Sequence, residues 1–256
     1  MTKLQAHRGV SSDYPENTMI AFRAAVNEGY AIIELDPKYT ADGEFVMLHD
    51  HSLKRTARDK NGNAPDALIR GITLAQARRY EYGSWMDESF RGETIPTLAD
   101  VLDFSEENPT VPLKFDNVWT TFPDELRAAF LAQIGERGER VSVGLTCGTL
   151  ESLKQAAASL PHATLHYDGA DLSEDTLDAV SRIAEGHELI IWICHDNPRT
   201  SWFKGEKATP ELCDRVRKHA KIGIWLINKP DEFCEAENVL HADYVETNGQ
   251  LKPRRT

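Results

Sequence analysis

Positive charge is scarce in this sequence. The 256 residues include 29 Lys and Arg against 41 Asp and Glu, so the formal net charge at pH 7 is -12. Surfaces that bind nucleic acids or anionic membranes need clustered basic side chains. The charge balance therefore argues against both kinds of partner.

Long apolar runs and closely spaced cysteines are also missing. No apolar stretch is long enough for a signal peptide or a membrane span. We therefore expect a cytoplasmic protein without membrane insertion. The four cysteines are widely separated and form no Cys-x-x-Cys pair, which favours reduced core thiols over a zinc site or disulfides.

What the sequence does contain is an alternation of short β-rich segments with helical ones. This rhythm is typical of a parallel sheet covered by helices, and eight strands predict a closed α/β barrel of the TIM (β/α)8 type. No repeat, low-complexity tract or linker divides the chain, so we expect a single domain over residues 1–256. The predicted strands are Leu4–Arg8, Ala31–Asp36, Val111–Asp116, Val141–Thr146, Ala163–Tyr167, Leu189–Cys194, Ile222–Ile227 and Asp243–Thr247.

Local signals predict the elements between these strands. Met19, Phe22 and Val26 recur at helical spacing and stop at Gly29, while Thr97 opens a later helix through a capping box. An Asp-Gly turn within residues 39–46 predicts a hairpin. Residues 52–95 are turn-rich and too long for an ordinary loop, so we expect a small insertion at the C-terminal face of the barrel strands.

Two carboxylates mark the end of the second predicted strand. The period of two places Glu34 and Asp36 on one face, near the strand end where barrel active sites form. Paired inward carboxylates are costly to desolvate without a cation between them, and hard oxygen ligands suit Mg²⁺ or Ca²⁺. The simpler alternative is that the strand ends in solvent and that Glu34 and Asp36 are hydrated without a metal.

Basic and proton-transferring side chains are predicted on the same rim. His7 and Arg8 end the first strand, where histidine suits proton transfer and arginine offers a fixed fork to phosphate oxygens. A single such histidine is more often structural. Here His49 returns toward the Glu34 strand on the arm after the hairpin, which supplies the second member of an acid–base pair.

Together these residues resemble the glycerophosphodiester phosphodiesterase family of phosphatidylinositol phospholipase C-like enzymes. The resemblance is dense before Leu98, sparse between Val141 and His219, and spans nearly the whole chain. The matching motifs are His7-Arg8-Gly9, Pro15-Glu16-Asn17-Thr18, Glu34-Leu35-Asp36, Thr40-Ala41-Asp42-Gly43, His49-Asp50, Arg55-Thr56, Ile95-Pro96-Thr97-Leu98, Trp225-Leu226-Ile227-Asn228, Ala242-Asp243 and Thr247-Asn248.

The resemblance implies a barrel enzyme that hydrolyses a glycerophosphodiester or sugar phosphodiester with one divalent cation, Mg²⁺ or Ca²⁺. By position, His7 and His49 would be the catalytic acid and base. Arg8 would bind the phosphate, and Glu34 and Asp36 would bind the metal.

One strand departs from the family pattern. Where the family carries Glu-x-Lys, this chain has Lys114 and Asp116, so the charges are exchanged while their sum is unchanged. We expect Asp116 to complete the metal site and Lys114 to approach the substrate, with Asp116, Glu34 or the substrate phosphate as its acidic partner. Asn248 stands where the family usually has Asp, and no role is assigned to it.

Aromatic residues on the predicted rim are candidates for substrate contacts. We predict substrate contacts for Trp85 in the insertion and Trp225 on the seventh predicted strand, although core packing suits either residue equally well. Trp119, Phe122, Trp202 and Phe203 lie in rim loops and have the same two interpretations.

Two alternatives stay open at this point. A degenerate barrel that lost its third carboxylate would bind phosphodiesters or sugar phosphates without cleaving them. A lyase would keep the histidines and stop at a cyclic phosphate. In each case the partner is a small molecule, and the oligomeric state is left open.

Overall fold

The computed structural model describes residues 1–254, and its centre is a closed barrel of parallel strands. Around the barrel the strands follow the order β1-β10-β9-β8-β7-β6-β5-β2, which confirms the predicted fold. Strands β3 and β4 form a separate antiparallel pair. The strands are β1 (Lys3–His7), β2 (Ile32–Leu35), β3 (Pro37–Tyr39), β4 (Phe45–Met47), β5 (Leu113–Phe115), β6 (Val143–Cys147), β7 (Thr164–Tyr167), β8 (Leu189–Cys194), β9 (Lys221–Trp225) and β10 (Tyr244–Thr247).

Helices connect most of the barrel strands and cover their outer faces. Among the described residues, no helix is both long enough and apolar enough to cross a membrane. The helices are α1 (Met19–Glu28), α2 (Leu74–Ala77), α3 (Leu98–Glu107), α4 (Asp124–Gly135), α5 (Leu150–Ser159), α6 (Glu174–Ile183), α7 (Pro210–Arg217) and α8 (Pro230–Asn238).

The predicted helix signals are confirmed by the geometry of the helix ends. The Thr18 side chain accepts a hydrogen bond from the backbone N–H of Ala21 at the start of α1. Gly29 ends that helix at φ 87°, a left-handed conformation that glycine adopts without steric cost. At α3, Thr97 and Asp100 form the predicted capping box.

Strand register brings the chemically important residues of three strands into one layer. His7 lies opposite Glu34, and Glu34 lies opposite Lys114. Asp36 and Asp116, which we predicted at the strand ends, follow immediately after β2 and β5, where the chain turns into the rim loops. Since parallel strands end at the same rim, these residues reach one site.

The barrel interior is unusually polar. The main apolar core lies between the barrel strands and the helices. Inside the barrel there is a small apolar cluster that includes Ile32, Ile190 and Tyr244, and a layer of buried polar side chains lies above it. The absence of a side chain at Gly144 leaves the room that the His166 ring fills. The buried polar layer comprises Gln5, Glu34, Lys114, His166 and Glu246.

The segment after the hairpin has its own small core. The hairpin of β3 and β4 forms as predicted, with Lys38 opposite Val46. Beyond it, short helical turns and α2 surround buried residues such as Leu53, Ile69 and Tyr82. His49 lies where this segment leaves β4.

Candidate active site

His7 is anchored at the barrel rim by a residue from the opposite end of the chain. Its Nδ1 donates to Oδ1 of Asn248 at 2.6 Å, and its Nε2 lies 3.9 Å from a carboxylate oxygen of Glu34. The backbone N–H of Asn248 donates in turn to Oδ1 of Asn228 at 2.9 Å. The sequence interpretation gave Asn248 no role; in the structure it orients the His7 ring.

His49 is held in the same way on the outer side of the rim. Its Nδ1 donates to Oδ1 of Asp50 at 2.7 Å, and its side chain is 43% exposed. Arg55 donates to Asp50 at 2.7 Å and to Glu16 at 2.7 Å. The hydrogen bonds from Arg55 hold the pKa of the Asp50 carboxyl well below its usual range, so Asp50 stays ionised beside His49.

Arg8 connects the two histidine regions. Its Nη1 donates to Glu16 at 3.1 Å, its Nε lies 3.3 Å from Oδ2 of Asp36, and its backbone N–H donates to Glu34 at 2.9 Å. Asn17 donates from Nδ2 to the same Asp36 oxygen at 2.7 Å. The predicted phosphate ligand is thus placed beside both predicted metal ligands of β2.

Three carboxylates face one another at the rim. Burial and the nearby charge of Asp36 raise the pKa of Glu34 and of Asp116. Burial opposes ionisation of Asp36 as well, but Arg8 and His49 bring its pKa below the usual value. Like charges gathered in this way are stabilised by a cation.

These residues fit a hard divalent cation by their chemistry. Glu34, Asp36 and Asp116 supply carboxylate oxygens, the ligands that Mg²⁺ and Ca²⁺ prefer. Within residues 1–254, no three His, Cys, Asp or Glu side chains already converge on one point as a preformed metal cage. The metal site therefore remains a prediction that rests on donor type and electrostatics.

Lys114 forms an ion pair that the sequence interpretation did not foresee. Its Nζ lies 3.4 Å from Oε2 of Glu246 and 4.2 Å from the centre of the Trp192 ring. Gln5 also donates to Glu246. Burial alone would lower the pKa of Lys114, but the carboxylates of Glu246 and Glu34 raise it, so the ammonium stays charged.

A cavity of about 350 Å³ opens beside His7, and we call it the acidic cavity. Four aromatic residues form part of its wall, with the Trp202 and Trp225 ring centres 5.8 Å apart. The predicted contact residue Trp225 therefore lies in the site. The cavity is lined by His7, Glu34, Lys114, Asp116, Asn117, Asp168, Trp192, Trp202, Phe203, Trp225 and Glu246.

The other rim aromatics lie elsewhere. Trp85 does not line the acidic cavity; it lies against Arg55, with 5.8 Å between the guanidinium carbon and the ring centre. Its role as a substrate contact stays a prediction. Trp119 is fully buried and donates to the Thr146 carbonyl, and Phe122 packs among Phe45 and Phe130, so both belong to the core.

Asp168 is a further cavity residue that sequence reasoning missed. Oδ2 accepts a hydrogen bond from Asn117 at 3.0 Å, while Oδ1 is buried without a hydrogen-bond partner in the described part of the chain. Burial, followed by the charge of Asp116, raises the pKa of Asp168 to about 7. The available signal was an acid directly after a buried apolar strand, the same signal that marked Asp116.

A second depression lies on the His49 side, and we call it the basic groove. The groove consists of two adjacent hollows, one of about 590 Å³ beside His49 and one of about 340 Å³ beside Arg70. Both hollows are lined by Lys38, His51 and Val118. Asp116 lines the groove as well as the acidic cavity. The two histidines thus line two different depressions that share Asp116.

Comparisons with known proteins show which family the chain matches. Residues 7–233 match the model of the glycerophosphoryl diester phosphodiesterase family. A glycerophosphodiester phosphodiesterase of Bacillus altitudinis is 40% identical over 103 residues, which is 40% of each chain. A probable glycerophosphodiester phosphodiesterase 1 of Mycobacterium tuberculosis is 29% identical over 254 residues, covering 91% of this chain and 85% of the relative.

The fold is also found among solved structures. A phosphodiesterase of Oleispira antarctica, solved in complex with the product sn-glycerol-3-phosphate, has a TM-score of 0.75 at 21% identity. The alignment covers 98% of this chain and 94% of that one. With the first curated relatives, by contrast, the match spans only about two fifths of their length.

Proposed function

We propose that this chain, which belongs to the glycerophosphoryl diester phosphodiesterase family, hydrolyses a glycerophosphodiester to an alcohol and a phosphomonoester. The observation that carries the proposal is that His7 and His49 lie near the same cluster of carboxylates and have equivalent hydrogen bonds. In each, Nδ1 is engaged by an oxygen, Asn248 for His7 and Asp50 for His49. Nε2 is then the nitrogen available to a substrate in both rings.

Hydrolysis of a phosphodiester needs proton transfer on both sides of phosphorus. One group removes a proton from the attacking oxygen, and another protonates the leaving oxygen. His7 and His49 act as this acid and base. The guanidinium of Arg8 binds the non-bridging phosphate oxygens between the two histidines. Glu16, which binds both Arg8 and Arg55, acts as a positioning residue for this set.

Glu34, Asp36 and Asp116 would hold a divalent cation, Mg²⁺ or Ca²⁺. When bound, such a cation neutralises negative charge that develops on the phosphate oxygens. The exchanged charges on β5 are compatible with this assignment because Lys114 is neutralised by Glu246. An unpaired lysine would repel the cation, whereas the observed pair leaves the rim carboxylates available.

A substrate panel with controlled metal content tests the proposal. The protein is treated with EDTA, freed of chelator, and assayed with glycerophosphocholine, glycerophosphoethanolamine and glycerophosphoglycerol before and after addition of Mg²⁺ or Ca²⁺. We expect turnover to disappear with chelation and to return with one of the cations, and phosphorus NMR to show a phosphomonoester.

Other outcomes identify the alternatives. A cyclic phosphate as the final product would make the protein a lyase. Binding of all three compounds without product, at any metal content, would make it a non-catalytic binding protein. Full turnover in EDTA would contradict the metal assignment alone.

A further inference from the structure

The basic groove contains cationic side chains that form no ion pair with a described residue, although Asp36 and Asp116 lie near Lys38. Lys38 is 4% exposed and lies on β3, with its side chain lining both halves of the groove. Its ammonium makes no hydrogen bond or ion pair to any residue between 1 and 254. Buried charges are normally paired because desolvation is costly. The groove therefore offers Lys38 to a ligand.

Arg70 and His51 extend this feature along the groove. Arg70 is exposed in the short helical turn Ile69–Gly71, and neither its guanidinium nor the His51 ring has a hydrogen-bond partner in the described chain. Arg55 provides the contrast within the same segment, since Asp50 and Glu16 engage its guanidinium fully.

Two of the three acids that line the groove are already engaged by other residues. Arg8 and Asn17 hold Asp36, and Arg55 and His49 hold Asp50. Asp116 faces the proposed cation. Apart from Asp116, the charged groove side chains without an ion pair among the described residues are the cations Lys38 and Arg70.

From this arrangement we infer that the basic groove is a subsite for a second anionic group, a phosphate or a carboxylate, on the alcohol that lies on the His49 side. The inference rests on the proposed function, because it places the reacting phosphate between His7 and His49. Lys38 binds the additional anion near the rim and Arg70 binds it farther out. A substrate with such a group gains two charge-assisted contacts that a neutral alcohol lacks.

Matched pairs of ligands test the subsite. Glycerophosphoinositol is compared with glycerophosphoinositol 4-phosphate, and glycerophosphoethanolamine with glycerophosphoserine. For each pair, kcat/KM is measured with Mg²⁺ or Ca²⁺ present, and Kd is measured by titration calorimetry in chelator, where the proposed hydrolysis stops. We expect the anionic member of at least one pair to be preferred by about tenfold in both quantities, as one charge-assisted contact allows.

Three variants test which residues produce the preference. Arg70→Gln and Lys38→Met are each expected to reduce it about threefold or more, and Lys38→Arg to retain most of it, since a cation remains. Arg79→Gln is the matched control, because Arg79 is exposed in the same segment but lines neither hollow. The preference should also weaken at high ionic strength, which a purely structural role would not produce.

The outcomes separate this inference from the proposed function. A preference confined to the inositol pair identifies a phosphate subsite, and one confined to the serine pair a carboxylate subsite; either supports the inference. Equal Kd and equal kcat/KM for the two members of both pairs would overturn the inference. If the compounds are nevertheless turned over, the proposed function stands. If no compound is turned over, the proposed function fails, and the calorimetric ratio alone still decides the subsite.

Discussion

The acidic cavity and the basic groove meet at Asp116 but differ in the charged side chains that line them. The cavity contains Glu34, Glu246 and Asp168 with a single ammonium, that of Lys114, and it has aromatic walls. The groove contains Lys38, His51 and Arg70 together with Asp36, Asp50 and Asp116. Of these carboxylates, Asp36 pairs with Arg8 and Asp50 pairs with Arg55. Under the proposed function, a substrate that spans both regions would meet different side chains at its two ends, and this difference would favour one orientation of its two alcohols.

The two regions also differ in how they are built. Side chains of the acidic cavity come largely from barrel strands or the residues that follow them, so the register of the sheet sets their positions. Those of the groove come from the hairpin and from the segment after it. Variation in that segment can therefore change the groove while the barrel and its carboxylates stay in place.

The largest expected effect comes from removing one histidine on either side. His7→Gln and His49→Gln should each lower kcat/KM by about 10²- to 10⁴-fold, the usual contribution of a positioned acid or base. His162→Gln, on an exposed surface histidine, is the control. Steady-state kinetics at saturating metal measure the effect. A large loss from one variant and none from the other would mean that the two depressions do not share the chemistry.

The next effect concerns the ion pair between Lys114 and Glu246 in the wall of the acidic cavity. Lys114→Met and Glu246→Gln should each lower the free energy of unfolding by about 3–5 kcal/mol, because each leaves its partner buried and without its counter-charge. The double variant should lose less than the sum of the two. Urea unfolding measures all three.

An exposed pair provides the reference for that cycle. Lys221 and Glu188 are about half exposed, and their removal should change stability by ~0.2–1 kcal/mol. Simple additivity of the Lys114 and Glu246 effects would show that the two residues do not compensate each other, and the explanation for the exchanged charges on β5 would fail.

The smallest expected effect is a pH dependence in the acidic cavity. The pKa of Asp168 is raised to about 7 in the folded protein, so the folded state binds more protons than the unfolded chain above the ordinary aspartate pKa of ~4. This group therefore lowers stability progressively as pH rises from about 4 to about 7. Asp168→Asn should gain stability relative to the parent over that interval, by about 1–3 kcal/mol.

A nearby surface acid gives the opposite sign. Hydrogen bonds from Thr176 and Ser173 lower the pKa of Asp171, so Asp171→Asn should lose stability relative to the parent once the carboxylate ionises. Thermal unfolding between pH 4 and pH 8 measures both variants. A flat difference for Asp168→Asn would mean that burial and the charge of Asp116 do not raise the pKa of Asp168.

Much of the site was predictable because its signals are local. Glu34 and Asp36 lie two residues apart at a strand end, and His7 and Arg8 end the first strand, so periodicity and barrel topology place them at one rim. The hairpin, the helix stop at Gly29 and the capping box at Thr97 follow equally from short-range chemistry. Each of these predictions is confirmed as a placement, while the catalytic and metal roles stay proposals.

The residues that sequence reasoning missed depend on contacts between distant segments. Asn248 was noticed only as a departure, and Glu246 was not noticed, since their partners His7, Gln5 and Lys114 are far away in the sequence. A charged residue within a buried strand was the available signal for Glu246. It shows that a partner must exist but not which one.

The sequence by itself determined the order of strands and helices, the rim on which the chemistry gathers, and the set of histidines, arginine and carboxylates there, because these follow from periodicity and short-range turn chemistry. Closure of the barrel decided the rest. By pairing β1 with β10 it supplied Asn248 to His7 and Glu246 to Lys114. The folding of the hairpin and its following segment added a groove lined by Lys38 and Arg70 to the acidic cavity. The charge around a buried residue is set by neighbours from distant parts of the chain, so the tertiary structure was needed to reveal it.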